Sequence, residues 1–140
     1  RKHGVGLVIV DYLQLIEHAG HKSDNLAARI GNTSRKLKLL ARSLNVPVVC
    51  LAQLNREVEK RGDGRPQLSD LRDSGAVEQD ADDVLFLWPV ATADAPGSVP
   101  AVTQEIRVCV DKQRNGPRAV VTLRYHRPFV RFESGGLKFL

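Results

Sequence analysis

The sequence predicts an α/β fold, with a mostly parallel sheet first and antiparallel strands towards the C-terminus. Three observations lead there. Leu7-Val8-Ile9-Val10 is a β-branched aliphatic run of the kind that forms a strand buried on both faces of a parallel sheet. A long amphipathic stretch and a second aliphatic run, Val48-Val49-Cys50-Leu51, follow it in strand-helix-strand order. A crossover of that kind joins parallel strands. Near the C-terminus, segments of alternating apolar and polar residues flank Asn115-Gly116-Pro117, a hairpin turn signal.

The bulk properties bound the function. Hydrophobic residues make up 42% and charged residues 26% of the chain, a globular balance rather than a disordered or membrane-spanning one. Its 140 residues fit a single domain, 1–140, with room for a sizeable core. No apolar run approaches the roughly 18 residues of a transmembrane helix, so no membrane partner is expected. Arg1-Lys2-His3-Gly4 leads into no signal-peptide h-region, which points to a cytoplasmic location. Cys50 and Cys109 lie in apolar strand-like runs, where reduced thiols are expected rather than a disulfide or a metal site. A net charge of +5 and a pI near 9.6 favour a polyanionic partner. With aromatics at only 5%, contact with nucleic acid should go to its backbone rather than to stacked bases.

Taken in order, the first strand ends in Asp11, whose carboxylate must emerge at the C-terminal edge of the sheet. Open α/β sheets bind ligands at that edge. The residue suits a hydrated Mg²⁺ beside phosphates, and equally suits a cap on the following turn. Residues 17–22 read as a polar loop, where His18 and His21 lack the supporting ligands of a metal site. Ser23-Asp24-Asn25 offers N-caps for a helix to about Leu44, with Leu26, Ile30, Thr33, Leu37, Leu40, Ala41 and Leu44 on one face. Asn45 and Pro47 stop it. The second strand then leads to Gln53, so Asp11 and Gln53 are expected at one sheet edge.

Residues 57–65 read as a mobile charged loop, and Ser69 as the cap of a short turn that Gly75 breaks. Another short turn is expected over 77–81, and Val84-Leu85-Phe86-Leu87-Trp88 as a third buried strand. Residues 89–100, rich in Ala, Pro, Gly and Ser, read as an extended loop. Strands are expected over 106–110, 120–125 and 129–132. Lys112 and Arg114, at i and i+2, should share a strand face and form a cationic prong for phosphate, or simply a charged turn. The loop around Arg72, Asp73 and Gly75 could offer backbone N–H groups and a guanidinium to a phosphodiester.

Four blocks in order resemble the C-terminal part of the RecA-like ATPase domain of DnaB-family replicative DNA helicases. They are Val8-Ile9-Val10-Asp11-Tyr12-Leu13-Gln14-Leu15, Leu51-Ala52-Gln53-Leu54-Asn55-Arg56, residues 68–82, and Lys112-Gln113-Arg114-Asn115-Gly116-Pro117. The resemblance implies a RecA-like three-layer sandwich and a homo-hexameric ring that uses ATP and Mg²⁺. It further implies 5′ to 3′ translocation on single-stranded DNA with duplex unwinding, and a primase and a helicase loader as partners. On the same footing Asp11 is the Walker B acid, acting on Mg²⁺ through water, and Gln53 senses the γ-phosphate. Arg114 becomes an arginine finger for a neighbouring subunit, with Lys112 beside it, and Arg72, Asp73 and Gly75 belong to the loop that grips DNA.

Ala52 stands where the family usually has Ser, and Asp73 where it usually has Glu. No Gly-x-x-x-x-Gly-Lys-[Ser/Thr] occurs in the 140 residues, so the P-loop half of the site is not in this sequence. The 140 residues alone are therefore expected not to hydrolyse ATP. Two other readings are a non-catalytic single-stranded-DNA-binding or oligomerisation module, and a RecA-like recombinase. The latter shares the Asp11 strand without predicting the Lys112–Arg114 hairpin and the Arg72 loop together.

Overall fold

The computed structural model describes residues 4–16, 25–71, 75–90 and 101–139, with the backbone alone over 135–139. The loop expected at 17–22 lies outside the described residues, as do residues 91–100 of the loop expected over 89–100, whose first residue, Pro89, instead ends a strand. The chain forms two compact units, one of Arg1–Asn55 with Leu68–Ala81, the other of Arg56–Gln67 with Asp82–Leu140.

In the first unit, β1 (Val8–Val10) and β2 (Val48–Cys50) pair in parallel, with Val8, Ile9 and Val10 opposite Val48, Val49 and Cys50. The crossover between them is α1 (Leu26–Leu44). Of the cap candidates the structure uses Asn25, whose Oδ1 accepts from the Ala28 N–H at 2.8 Å. At the far end Asn45 takes the left-handed conformation, φ 51°, and its N–H donates to the carbonyls of Ala41 and Arg42. That geometry closes the helix one residue past its last turn. Leu13, in a 3₁₀ turn over Leu13–Leu15, is buried, as are Ile30, Thr33 and Ser34 on α1, and the turn lies against that helix.

The strands are not buried on both faces as expected. Val8, Val10, Val48 and Cys50 are half-buried, whereas Ile9 is 64% exposed and Val49 48%. A two-stranded sheet with one helix against it has cover for one side only. Cys50 is a free thiol whose pKa burial pushes up.

Gly75 opens α2 (Gly75–Asp80) instead of breaking a turn. This short helix docks on α1. A Cβ on Gly31 would stand 3.0 Å from the Ala76 Cβ, so the close approach of the helices depends on that glycine. Asp80 then accepts from Ser34 Oγ at 3.0 Å and from Arg35 Nη1 at 3.3 Å.

The second unit is a four-stranded antiparallel sheet in the order β3 (Asp83–Pro89), β4 (Thr103–Gln113), β5 (Ala119–His126), β6 (Arg131–Phe139). Val84, Phe86 and Trp88 on β3 are buried, while Leu85 and Leu87 are more than half exposed. The expected fully buried strand is thus an alternating one, as suits an antiparallel sheet covered on one face. Cys109, a free thiol 2% exposed, lies opposite Phe86, with Arg65 Nη2 3.9 Å from its Sγ. Arg65 belongs to a segment expected to be a mobile loop, part of which is a 3₁₀ turn over Arg56–Lys60. β6 runs well beyond the expected 129–132, and Phe129 falls in a 3₁₀ turn before it. Pairing with β5 resumes beyond Ser134 after a register shift, with Leu137 opposite Val121.

Parallel pairing thus comes first and antiparallel pairing follows, in the predicted order. Among the described residues the antiparallel part is the larger, because only one strand pair is joined by a helical crossover and β4 and β5 are joined by a tight hairpin.

Candidate functional site

Asp11 follows β1 directly and is exposed, and the Asp11–Tyr12 peptide is cis. The parallel pairing continues past the strands themselves. The Leu51 N–H donates to the Val10 carbonyl at 2.9 Å, and the Leu13 N–H to the Leu51 carbonyl at 2.8 Å. Both chains therefore leave the sheet at one end, carrying Asp11 and Gln53 to the edge the sequence predicted.

Beyond Leu51 the two backbones part, and the side chain of Gln14 bridges them. Its Nε2 donates to the Gln53 carbonyl at 3.1 Å, and its Oε1 accepts from the Gln53 N–H at 3.3 Å. Two residues later the Asn55 N–H donates to the carbonyl of buried Asp70 at 2.9 Å. Arg72 and Asp73 lie outside the described residues. Gly75, the third member of that expected group, is exposed at the start of α2, and a Cβ there would meet nothing within 4 Å.

The other predicted pair lies in the second unit. Lys112 stands opposite Val84, and the next aligned pair is Val110 with Leu85, so Asp111 is an extra residue on β4. Such a bulge bends and twists the strand end. Arg114 falls just past β4, in the turn. Its N–H donates to the Asp82 carbonyl at 3.1 Å, and its Nε stands 3.6 Å from Asp82 Oδ1, both side chains about half exposed.

The sequence placed Asp11 and Gln53 at one sheet edge, but gave no sign of Gln14 as the partner of Gln53, or of Asp82 as that of Arg114. A carboxamide three residues past a strand-end acid is a signal only once both strand exits are known to converge.

The donor set decides what metal could be held. Among the described residues no group of three or more His, Cys, Asp or Glu side chains could hold an ion. A lone exposed carboxylate such as Asp11 instead fits Mg²⁺, which keeps several waters and takes its remaining ligands from phosphate. Also among the described residues, no helix is long and apolar enough to cross a membrane.

A parallel β-α-β unit presenting an acid and a carboxamide at its carboxyl edge, followed by antiparallel strands, is the arrangement of a RecA-like α/β ATPase domain. Residues 1–134 match the model of the DnaB-like helicase C-terminal domain, and the chain belongs to that family. It is 42% identical over 132 residues to the replicative DNA helicase DnaC of Bacillus subtilis (strain 168), covering 94% of this chain and 28% of that protein. Similarity to the replicative DNA helicase DnaB of Haemophilus influenzae is 44% over 131 residues, 94% of this chain and 27% of the relative. Among solved structures, an ATPase domain superposes with a TM-score of 0.78 at 41% identity, over 93% of this chain and 44% of that one. A DnaB-like replicative helicase, whose structure was described together with its interactions with primase, gives 0.76 at 41% identity, over 90% of this chain and 29% of that one. The chain thus spans under a third of the curated relatives it matches.

Proposed function

We propose that this chain is the Walker B-to-C-terminal part, residues 1–140 of one partial RecA-like domain, of a cytoplasmic hexameric replicative helicase. That helicase uses ATP hydrolysis to move 5′ to 3′ on single-stranded DNA and unwind duplex, in the company of a primase and a loader. The observation that carries this reading is the delivery of Asp11 and Gln53 to one end of the in-register β1–β2 pair.

Mg²⁺-ATP supplies the phosphoanhydride, and its metal neutralises charge on the phosphate oxygens. Asp11 would hold a bound Mg²⁺ through the ion's water shell. Gln53 presents its carboxamide towards the γ-phosphate. Arg114 and Lys112 serve a neighbouring subunit's nucleotide, the guanidinium as a fork and the ammonium as a point charge. Arg72, Asp73 and Gly75 form the loop that contacts the DNA backbone, which carries no base information and so permits movement over any sequence.

The test compares two proteins. In the full-length helicase carrying this chain, Asp11→Ala reduces DNA-stimulated ATPase to background. The isolated 140 residues, without a P-loop, show no turnover. Turnover by the isolated chain that is lost on Asp11→Ala would overturn the second expectation. A full-length Asp11→Ala variant with wild-type turnover would overturn the first.

A further inference from the structure

We propose that Gln14 is a positioning residue for Gln53, fixing the sensor's backbone against the strand that carries Asp11; this rests on the nucleotide-site reading above. The ladder between the two strand exits ends with the Leu13 N–H on the Leu51 carbonyl at 2.8 Å. Gln53 is the next residue but one, and its N–H and C=O are the following groups that the pairing would have to satisfy. The Gln14 carboxamide supplies both partners, at 3.3 and 3.1 Å, acting as a detached peptide unit.

Only a side chain with a donor and an acceptor on one planar group can do this, at glutamine's reach. The anchor is rigid. Gln14 sits in the Leu13–Leu15 turn, whose Leu13 is 4% exposed, and the turn lies against α1. On the other side of Gln53, the Asn55 N–H holds the Asp70 carbonyl at 2.9 Å, directly before the residues expected to meet DNA. Gln53 is therefore held at two points: at its own backbone by a side chain, and two residues on by a backbone bond. The first sets where its carboxamide stands relative to Asp11. The second ties any displacement of the segment to the base of the DNA loop.

The chemistry gives a readout that a purely structural role would not move. Gln14→Glu keeps the size and the acceptor, but an ionised carboxylate has no donor and faces the Gln53 carbonyl. A protonated carboxyl regains both functions in nearly the same geometry. In the full-length helicase at about pH 8, Gln14→Ala and Gln14→Glu should lower DNA-stimulated kcat on the order of ten- to a hundred-fold with little change in KM for ATP, as expected when a reacting-site group is misplaced.

Lowering the pH from about 8 to about 6, towards the titration of a carboxyl raised by a facing carbonyl, should restore Gln14→Glu relative to wild type and leave Gln14→Ala unrestored. Wild-type kcat in both variants, or a Gln14→Glu ratio as flat with pH as that of Gln14→Ala, would overturn the assignment. Should the variants fail to fold, amide exchange in the unmodified protein decides: protection of the Gln53 N–H and of one Gln14 side-chain N–H supports it, and open-chain rates at both refute it. An Asp11→Ala control separates the two readings. If that variant is inactive while Gln14→Glu stays flat, only the Gln14 assignment falls; if it keeps wild-type turnover, both fall.

Discussion

His126 Nε2 lies 3.0 Å from Glu133 Oε2, and Arg131 Nη2 lies 2.5 Å from Glu133 Oε1. The hydrogen bond from His126 does most to hold the Glu133 carboxyl below the usual glutamate range; partial desolvation opposes it, and the charges of His126 and Arg131 add to it. A carboxyl depressed in the folded state adds stability above its unfolded value, about 4.3, and loses it as pH falls through the folded one. Glu133→Gln should therefore lower the stability of the chain at neutral pH, with the difference from wild type shrinking below about pH 4.3. Denaturant melts across that range measure it, and a difference that grows on acidification would contradict the sign. No feature of the sequence marks His126 and Glu133 as partners, since they meet only through the β5–β6 register. Asp11 and Gln53 were legible because each terminates an aliphatic run, and burial dictates where a polar residue after such a run must emerge. Gln14 and Asp82 were not, because a side chain that bonds a distant backbone leaves no periodic trace.

The long helix was the most readable element, since nineteen residues of favourable periodicity between Asn25 and Asn45 leave little choice. What periodicity did not show is which part of that face is used. Leu26, Leu40 and Leu44 remain exposed, whereas Thr33 and Ser34 are buried where α1 meets the turn and α2. That choice rests on Gly31, which reads as a mere helix-weakening residue until Ala76 is known to pack on it. Asn25→Ala should cost about 0.5–2 kcal/mol through loss of the cap, with no change in how α2 docks. Gly31→Leu puts a branched side chain where even a Cβ stands 3.0 Å from Ala76 Cβ. It should push α2 off α1 and raise amide exchange over Gly75–Asp80. Equal protection of α2 in the two variants would mean that the Asp80 bonds to Ser34 and Arg35 hold the helix alone. The antiparallel strands were legible in number but not in extent, because a register shift carries β6 through glycines that normally end a strand.

On the proposed reading, a chain spanning about 28% of a curated relative shares its nucleotide site with residues outside it, and Arg114 is where that dependence can be measured. Its contact with Asp82 is loose, 3.6 Å between half-exposed groups. Exposed pairs of this kind contribute about 0–1 kcal/mol, which is small beside the charge-assisted bonds a guanidinium makes to phosphate. An arginine finger supplied in trans is worth roughly 10³ to 10⁵ in rate at comparable phosphoryl-transfer sites. Full-length Arg114→Ala and Asp11→Ala subunits, each inactive in a ring of its own kind, should therefore complement when mixed: wherever an intact Arg114 borders an intact Asp11 one site is whole again, and ATPase activity reappears. Mixtures that stay as inactive as either parent would show that Arg114 serves its own subunit and not the next.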